Sequence, residues 1–291
     1  MKKIIGGLLL TALLLAGCGK QATTQSSEAT AATSTTTEEV AVSIASVGPD
    51  AEIWRFIADS EAAKKAGIKL KVEDITGGAI TNNAVADGDA DANAFQSIGY
   101  LKSFNAESPV KLVPIATTYI EPMGIYSDKY KTIDEIEAGA LVALADNPSN
   151  TTRGLRVLES AGLIKLKADF DDGIGTPDDI AENPKNLEFK LIDDLTGPRI
   201  LPDVDLVLIS NTIALEGGLN VLKDSIYREE ADESTKSSIN IIAVKEGREN
   251  EEALLKLGDL YHDPEVQKFV EEKFEGTKVE VDQPVAEVWG D

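Results

Sequence analysis

The sequence predicts an α/β fold built on mostly parallel sheets. Three observations lead there. From Val40 onward, short Val-, Ile- and Leu-rich runs alternate with stretches whose apolar residues recur at helical spacing. Turn signals such as Gly48-Pro49, Asp87-Gly88 and Asn147-Pro148 separate them. Hydrophobic residues make up 42% of the 291 residues, an ordinary share for a globular protein, and there is no internal repeat at solenoid spacing. Strand-then-helix repetition favours crossover connections, which place successive strands parallel.

The elements follow in order. Residues 40–45 form the first strand. Gly48-Pro49 turns the chain into a helix over 51–66, with Ile53, Phe56 and Ile57 on one face and Gly67 as its stop. Residues 68–72 alternate apolar side chains with lysine and give the next strand. Short helices are predicted at 81–86 and 97–104, and strands at 110–115 and 123–126. A helical turn over 132–136 precedes a strand at 141–144. The stretch 169–186 carries Gly173, Gly175, Pro177 and Pro184 and reads as loop. A buried strand at 205–208, a helix at 211–216 and a strand at 239–244 come next. Helices over 251–260 and 264–274 close the body.

The N-terminus has a different character. Lys2-Lys3, a short apolar run over 4–16 and the sequence Leu15-Ala16-Gly17-Cys18 make a lipoprotein signal. The run is too short to span a bilayer, so residues 1–17 are expected to be cleaved. Cys18, the sole cysteine, would then carry the lipid (diacylglycerol and palmitate) as the new N-terminus. Two or more acyl chains anchor stably. Residues 18–39, rich in Ser, Thr and Ala, lack the apolar surface needed to offset the entropy of ordering and are expected to act as a tether. These features place the body at the cell membrane, lipid-anchored, on the extracytoplasmic face.

Composition excludes several functions. A formal net charge of −23 repels nucleic acid and anionic lipid. It suits solubility, and leaves cation binding open. His262 is the only histidine, lies between two predicted helices, and is expected at the surface or in a cap. With Cys18 acylated, no Ser-His-Asp or Cys-His set remains unless His262 serves it. No phosphate-binding glycine loop and no His/Cys metal spacing occur, so no cofactor and no metal are expected. The Asp87–Asp91 acids lack the remaining ligands of a calcium loop. Asp169–Asp172 and Asp178-Asp179 read as solvated loop charges. Paired carboxylates for glycoside hydrolysis are the one enzymatic option left by composition. With no catalytic motif, a binding protein is expected rather than an enzyme.

The stretch 145–160, ADNPSNTTRGLRVLES, is the strongest local signal. Asn150 is read as the N-cap of a helix whose apolar face is Leu155, Val157, Leu158 and Leu163. Its first turn holds Thr151, Thr152 and Arg153, then Arg156, with no acid before Glu159. Helix starts favour acids, so a cation here invites an external anion such as a carboxylate. A distant acid of the chain itself would satisfy Arg153 equally well, and the segment alone leaves both readings open.

Several stretches together resemble the methionine-binding lipoproteins, the MetQ/NlpA-like family of ABC-importer receptors. They are ADGDADANAFQ followed by Tyr100-Leu101 and Phe104-Asn105, then KLVPIATTYIEPMGIYS, NPSNTTRGLRVLESAGLIKL and IAENPKN, and finally Ile239-Asn240-Ile241-Ile242. They run in order over 40–274. The resemblance implies a two-lobed periplasmic-binding-protein-like fold, each lobe a mixed, mostly parallel sheet flanked by helices. Lobe 1 would be 40–120 plus 239–291, and lobe 2 would be 121–238. It implies an amino-acid ligand in the interlobe cleft and delivery to the permease and ATPase subunits of an importer. By the same resemblance Arg153 holds the ligand carboxylate, Asn150 accompanies it, and Asn240 contacts the polar end. Phe95 and Tyr100 line the side-chain pocket, and Glu121 sits near the hinge. The chain departs from the family where Ser97 replaces a histidine and Gly78 or Ala79 a tyrosine, and where Ser210 and Ile213 replace an asparagine and a tyrosine. These changes predict a wider pocket and leave open methionine, another small carboxylate or a short peptide. A surface lipoprotein with an adhesion or host-interaction role is the alternative from another class.

Overall fold

The computed structural model describes residues 39–75, 77–230 and 233–290. The predicted signal peptide, Cys18 and all but the last residue of the tether lie outside the described residues.

Two five-stranded sheets carry the fold. In the first, Val40–Ser46 pairs in parallel with Ile68–Asp74 on one side and Ala92–Ser97 on the other. Asn240–Lys245 and then Leu112–Thr117 extend this sheet, each pairing antiparallel. In the second, Leu141–Ala145 lies between Glu188–Ile192 and Leu206–Ser210, both parallel to it. Met123–Tyr126 and then the short Tyr227–Arg228 add antiparallel pairs. The sheets are therefore mixed in equal measure rather than mostly parallel. The reason is topological. Met123–Tyr126 is the strand by which the chain enters the second sheet, and Asn240–Lys245 the one by which it returns to the first. Each runs against its neighbours because neither belongs to a βαβ unit.

Both faces of each sheet are covered, as parallel strands require. Ile53, Trp54 and Ile57 of helix Gly48–Asp59 pack on one face of the first sheet. Leu254, Leu257 and Tyr261 of Glu252–Tyr261 join them, with Val266, Val270 and Phe274 of Pro264–Phe274. Val85, Ile98, Leu101 and Ile239 cover its other face. On the second sheet, Leu155 and Leu158 of helix Pro148–Ser160 bury one side, and Tyr126, Ile209, Ala214 and Val221 form the core on the other. Each such leucine stabilises the fold by about 1.5–3 kcal/mol relative to exposure.

The long helix expected over 51–66 is two helices, Gly48–Asp59 and Glu61–Ala66. Ser60 breaks it. Its backbone is extended, its hydroxyl donates to Ile57 O at 2.7 Å and accepts from Ala63 N at 3.1 Å. One side chain thus ends the first helix and caps the second. The helix expected at 81–86 is longer, Gly78–Asp87, and the loop-rich 169–186 contains the short strand Ile180–Glu182 paired with Lys165–Leu166.

Candidate ligand-binding site

Strand ends place the site. Ala92–Ser97 finishes at Ser97, Leu141–Ala145 runs to Asn147, and Leu206–Ser210 finishes at Ser210. Each is followed directly by a helix, so three helix starts converge where the strands give out. In open α/β sheets that edge is where ligands bind. Asn240 lies opposite Ser97 in the antiparallel register.

A cavity of ≈ 80 Å³ opens there. Its walls include every family-implied position: Arg153, Asn150, Asn240, Phe95, Tyr100, Ser97, Ser210 and Glu121, together with Gly78 and Ile213. They come from both sheets. Sequence reasoning missed Gly77, Gln96, Asp194, Leu195 and Thr212, which complete the lining. A second cavity of ≈ 880 Å³ adjoins it and shares Ser97 and Arg153.

The helix behind Arg153 starts differently from expectation. Its N-cap is Asn147, not Asn150; the Asn147 side chain accepts from Asn150 N at 2.9 Å. Pro148 occupies the first turn, where its missing N–H costs nothing. Asn150 is thereby free to donate its side-chain amide to Asp194 Oδ2 at 2.8 Å, just past the end of the neighbouring strand Glu188–Ile192 of the same sheet.

Arg153 is not waiting for an external anion. Its Nε donates to both carboxylate oxygens of Glu229, at 3.2 and 3.1 Å, and Nη2 donates to Glu229 Oε2 at 2.5 Å and to the Glu121 carbonyl at 2.6 Å. The pair is nearly buried, 11% and 13% exposed at the side chains. Burial opposes the guanidinium charge, but Glu229 outweighs it and raises its pKa. Of the two readings left open by the sequence, the chain's own acid is the one found. Nη1 has no protein acceptor among the described residues, so one nitrogen remains for a ligand oxygen. Glu229 was invisible because it sits 76 residues away in a stretch without periodicity.

Glu121 lines the cavity, but its carboxylate is committed inward. It accepts from Asn211 Nδ2, Thr212 N and Thr212 Oγ1 at 3.0 Å each, capping helix Asn211–Glu216, and from Lys278 Nζ at 2.8 Å. Lys278 is fully buried and pairs also with Asp50 at 2.9 Å. Tyr119 donates to Asp50 and faces Lys278 with its ring at 4.0 Å. Burial raises the Asp50 pKa despite Lys278. For Glu121 burial acts the same way, but Lys278 and the hydrogen bonds prevail and lower it. Glu121 is thus a joint between the two sheets' elements and not a ligand contact through its carboxylate.

Phe95 and Tyr100 meet edge to face, ring centroids 6.0 Å apart. Burial, then Asp194, Asp146 and Asp193, push the Tyr100 hydroxyl up to about 12, so it stays a protonated donor. Ser97 caps its own helix, accepting from Tyr100 N at 3.2 Å. Beside Gly78, where open space is expected, stands Tyr100. A Cβ at Gly78 would lie 2.1 Å from the Tyr100 hydroxyl, so Tyr100 fills the room that the missing side chain leaves. Gly78→Ala is expected to displace Tyr100 at a cost of about 1–3 kcal/mol, read as a lowered melting temperature.

The remaining candidates resolve as structure. His262, expected at the surface or in a cap, is the C-cap of helix Glu252–Tyr261, and its ring bridges Glu280 at 2.7 Å and the Thr117 carbonyl at 3.0 Å. Asp172 pairs with Arg156 at 2.7 Å yet stays 66% exposed, a solvated loop charge as expected, and Asp91 of the acidic 87–91 run pairs with Arg248 at 3.0 Å. Among the described residues no group of three or more His, Cys, Asp or Glu side chains is placed to hold a metal ion.

Two sheets of this kind around one polar-and-aromatic cavity define a substrate-binding protein. The comparisons give the family. The NlpA lipoprotein family model matches residues 40–281, and the chain belongs to that family of binding proteins, not of enzymes. It is 35% identical to the methionine-binding lipoprotein MetQ of Bacillus subtilis over 290 residues, covering 97% of this chain and all of that one. The solved structure of a Burkholderia cenocepacia nutrient-binding protein bound to methionine matches with a TM-score of 0.78 at 36% identity, covering 82% of this chain and 99% of that one. The substrate-binding protein of a methionine transporter from Streptococcus pneumoniae gives 0.76 at 35%, covering 83% and 95%. No described helix is long and apolar enough to cross a membrane.

Proposed function

We propose that the protein captures methionine or a closely related amino acid between two hinged halves, 40–120 with 239–291 and 121–238, and hands it to the permease of an ABC importer. A lipid on Cys18 holds it at the extracytoplasmic face of the cell membrane. The carrying observation is the convergence of Arg153, Asn150, Asn240, Phe95 and Tyr100 on one cavity. In this reading the ligand carboxylate takes Nη1 of Arg153, Asn240 holds the polar end, and the two aromatic rings pack on the side chain. Closure is driven only by contacts that improve in the closed form. A short peptide is the second reading, favoured by the ≈ 880 Å³ cavity that shares Ser97 and Arg153 with the first.

Calorimetric titration with L-amino acids and dipeptides tests both. Methionine binding no better than alanine would remove the methionine assignment. Arg153→Ala is expected to weaken binding by roughly 1.5–3 kcal/mol, about ten- to a hundredfold. The double variant Arg153→Ala, Glu229→Ala removes the orphaned acid and separates lost binding from lost folding.

A further inference from the structure

The cavity's charge does not balance. Arg153 is its lining cation, and Glu229 already neutralises it. Asp194, also in the lining, has no cationic partner among the described residues. Asn147 and Asn150 donate to it at 2.9 and 2.8 Å, and both bonds fall on Oδ2. Oδ1 accepts nothing among the described residues. Two amides from the Arg153 helix thus hold one oxygen and aim the other.

We propose that Asp194 receives the ammonium group of the ligand, so that the site selects molecules with a free amine over otherwise identical carboxylates. The proposal rests on the amino-acid reading above and deepens it. The physical reason is the half-buried setting of Asp194. A carboxylate there keeps its charge at the expense of hydration, and an incoming ammonium restores what water no longer supplies. Burial raises the Asp194 pKa, with Asp193 and Asp146 adding to it against the two amide bonds. A zwitterion laid between Arg153 Nη1 and Asp194 Oδ1 meets a donor at one end and an acceptor at the other. An acid lacking the amine leaves Asp194 facing an apolar carbon. The sequence points to no residue for the amine beyond Asn240 at the polar end, because nothing local in Asp193-Asp194 distinguishes it from the chain's many acids.

The test is calorimetric titration of the protein with L-methionine and its deaminated counterpart 4-(methylthio)butanoate, repeated with L-alanine and propanoate. Wild type should prefer each amino acid over its deaminated partner, and Asp194→Asn should lose about ten- to a hundredfold in affinity for the amino acid alone. Asparagine keeps an oxygen for the two amides, so the melting temperature should hold. Asp194→Glu, which keeps the charge, should retain part of the preference. Equal loss for both members of a pair would mean that Asp194 merely shapes the loop, and no loss would mean that the amine lies elsewhere; either overturns the proposal while wild-type methionine binding stands. A wild type that binds neither amino acid overturns the amino-acid reading and this proposal with it.

Discussion

Replacing Lys278 with methionine should destabilise the protein by about 3–5 kcal/mol, the cost of removing one partner from a buried ion pair. The magnitude follows from the count of charges. Lys278 is fully buried between Asp50 and Glu121, which are themselves 2% and 5% exposed at the side chain. Without the ammonium, two carboxylates face each other with no counter-charge. Asp50→Asn should cost far less. It leaves Lys278 matched to Glu121, removes the acid whose pKa burial already raises, and keeps an acceptor for Tyr119. Urea unfolding at neutral pH checks both. The asymmetry between the two variants is the decisive reading, since a merely steric role for Lys278 would give similar losses. The penalty of Lys278→Met should also shrink as pH falls into the carboxylate range, because protonation then discharges the pair that the lysine had balanced.

Trp54→Ala should cost about 3–5 kcal/mol through the cavity it leaves. Trp54 is 1% exposed and projects from helix Gly48–Asp59 into the core, its ring 5.8 Å from that of Tyr261. Tyr261 in turn lies 6.5 Å from Tyr119, which holds Asp50. Truncation removes the largest buried side chain of that face and loosens the support of the Asp50–Lys278–Glu121 group as well. The check is a lowered urea midpoint with an unchanged slope, which separates lost stability from a change in cooperativity. Trp54→Phe should recover most of the loss, because the ring contact with Tyr261 survives.

Local patterns made much of the fold legible. The strand Leu206–Ser210 and the helices Gly48–Asp59 and Pro148–Ser160 announce themselves by apolar periodicity and by proline in the first turn. The break at Ser60 did not, because a serine in a helical pattern carries no sign of which backbone it will cap. The antiparallel strands were also hidden, since periodicity sets faces and not pairing direction. At the site, Arg153 was found through the oddity of a cation at a helix start. Its partner Glu229, the buried Lys278 and Asp194 were not, for one physical reason: each gains its role from contacts dozens of residues away, and in so acidic a chain a single Asp or Glu stands out from nothing. The Tyr100–Gly78 fit shows the converse. The space beside Gly78, read as open, is occupied by Tyr100, which shows only when both positions are set side by side.

Strand order has a consequence for folding during export. Leu112–Thr117 lies at the sheet edge and is joined to the rest only through Asn240–Lys245. As the chain emerges from the membrane N-terminus first, that strand must therefore remain single until Lys245 has followed. The second sheet has all its strands once Arg228 is out, shortly before Lys245. The middle of the chain can thus complete its sheet before the beginning does, an inversion of the usual N-terminal-first order, while the far edge of Ala92–Ser97 and the whole of Leu112–Thr117 wait unpaired for Asn240–Lys245.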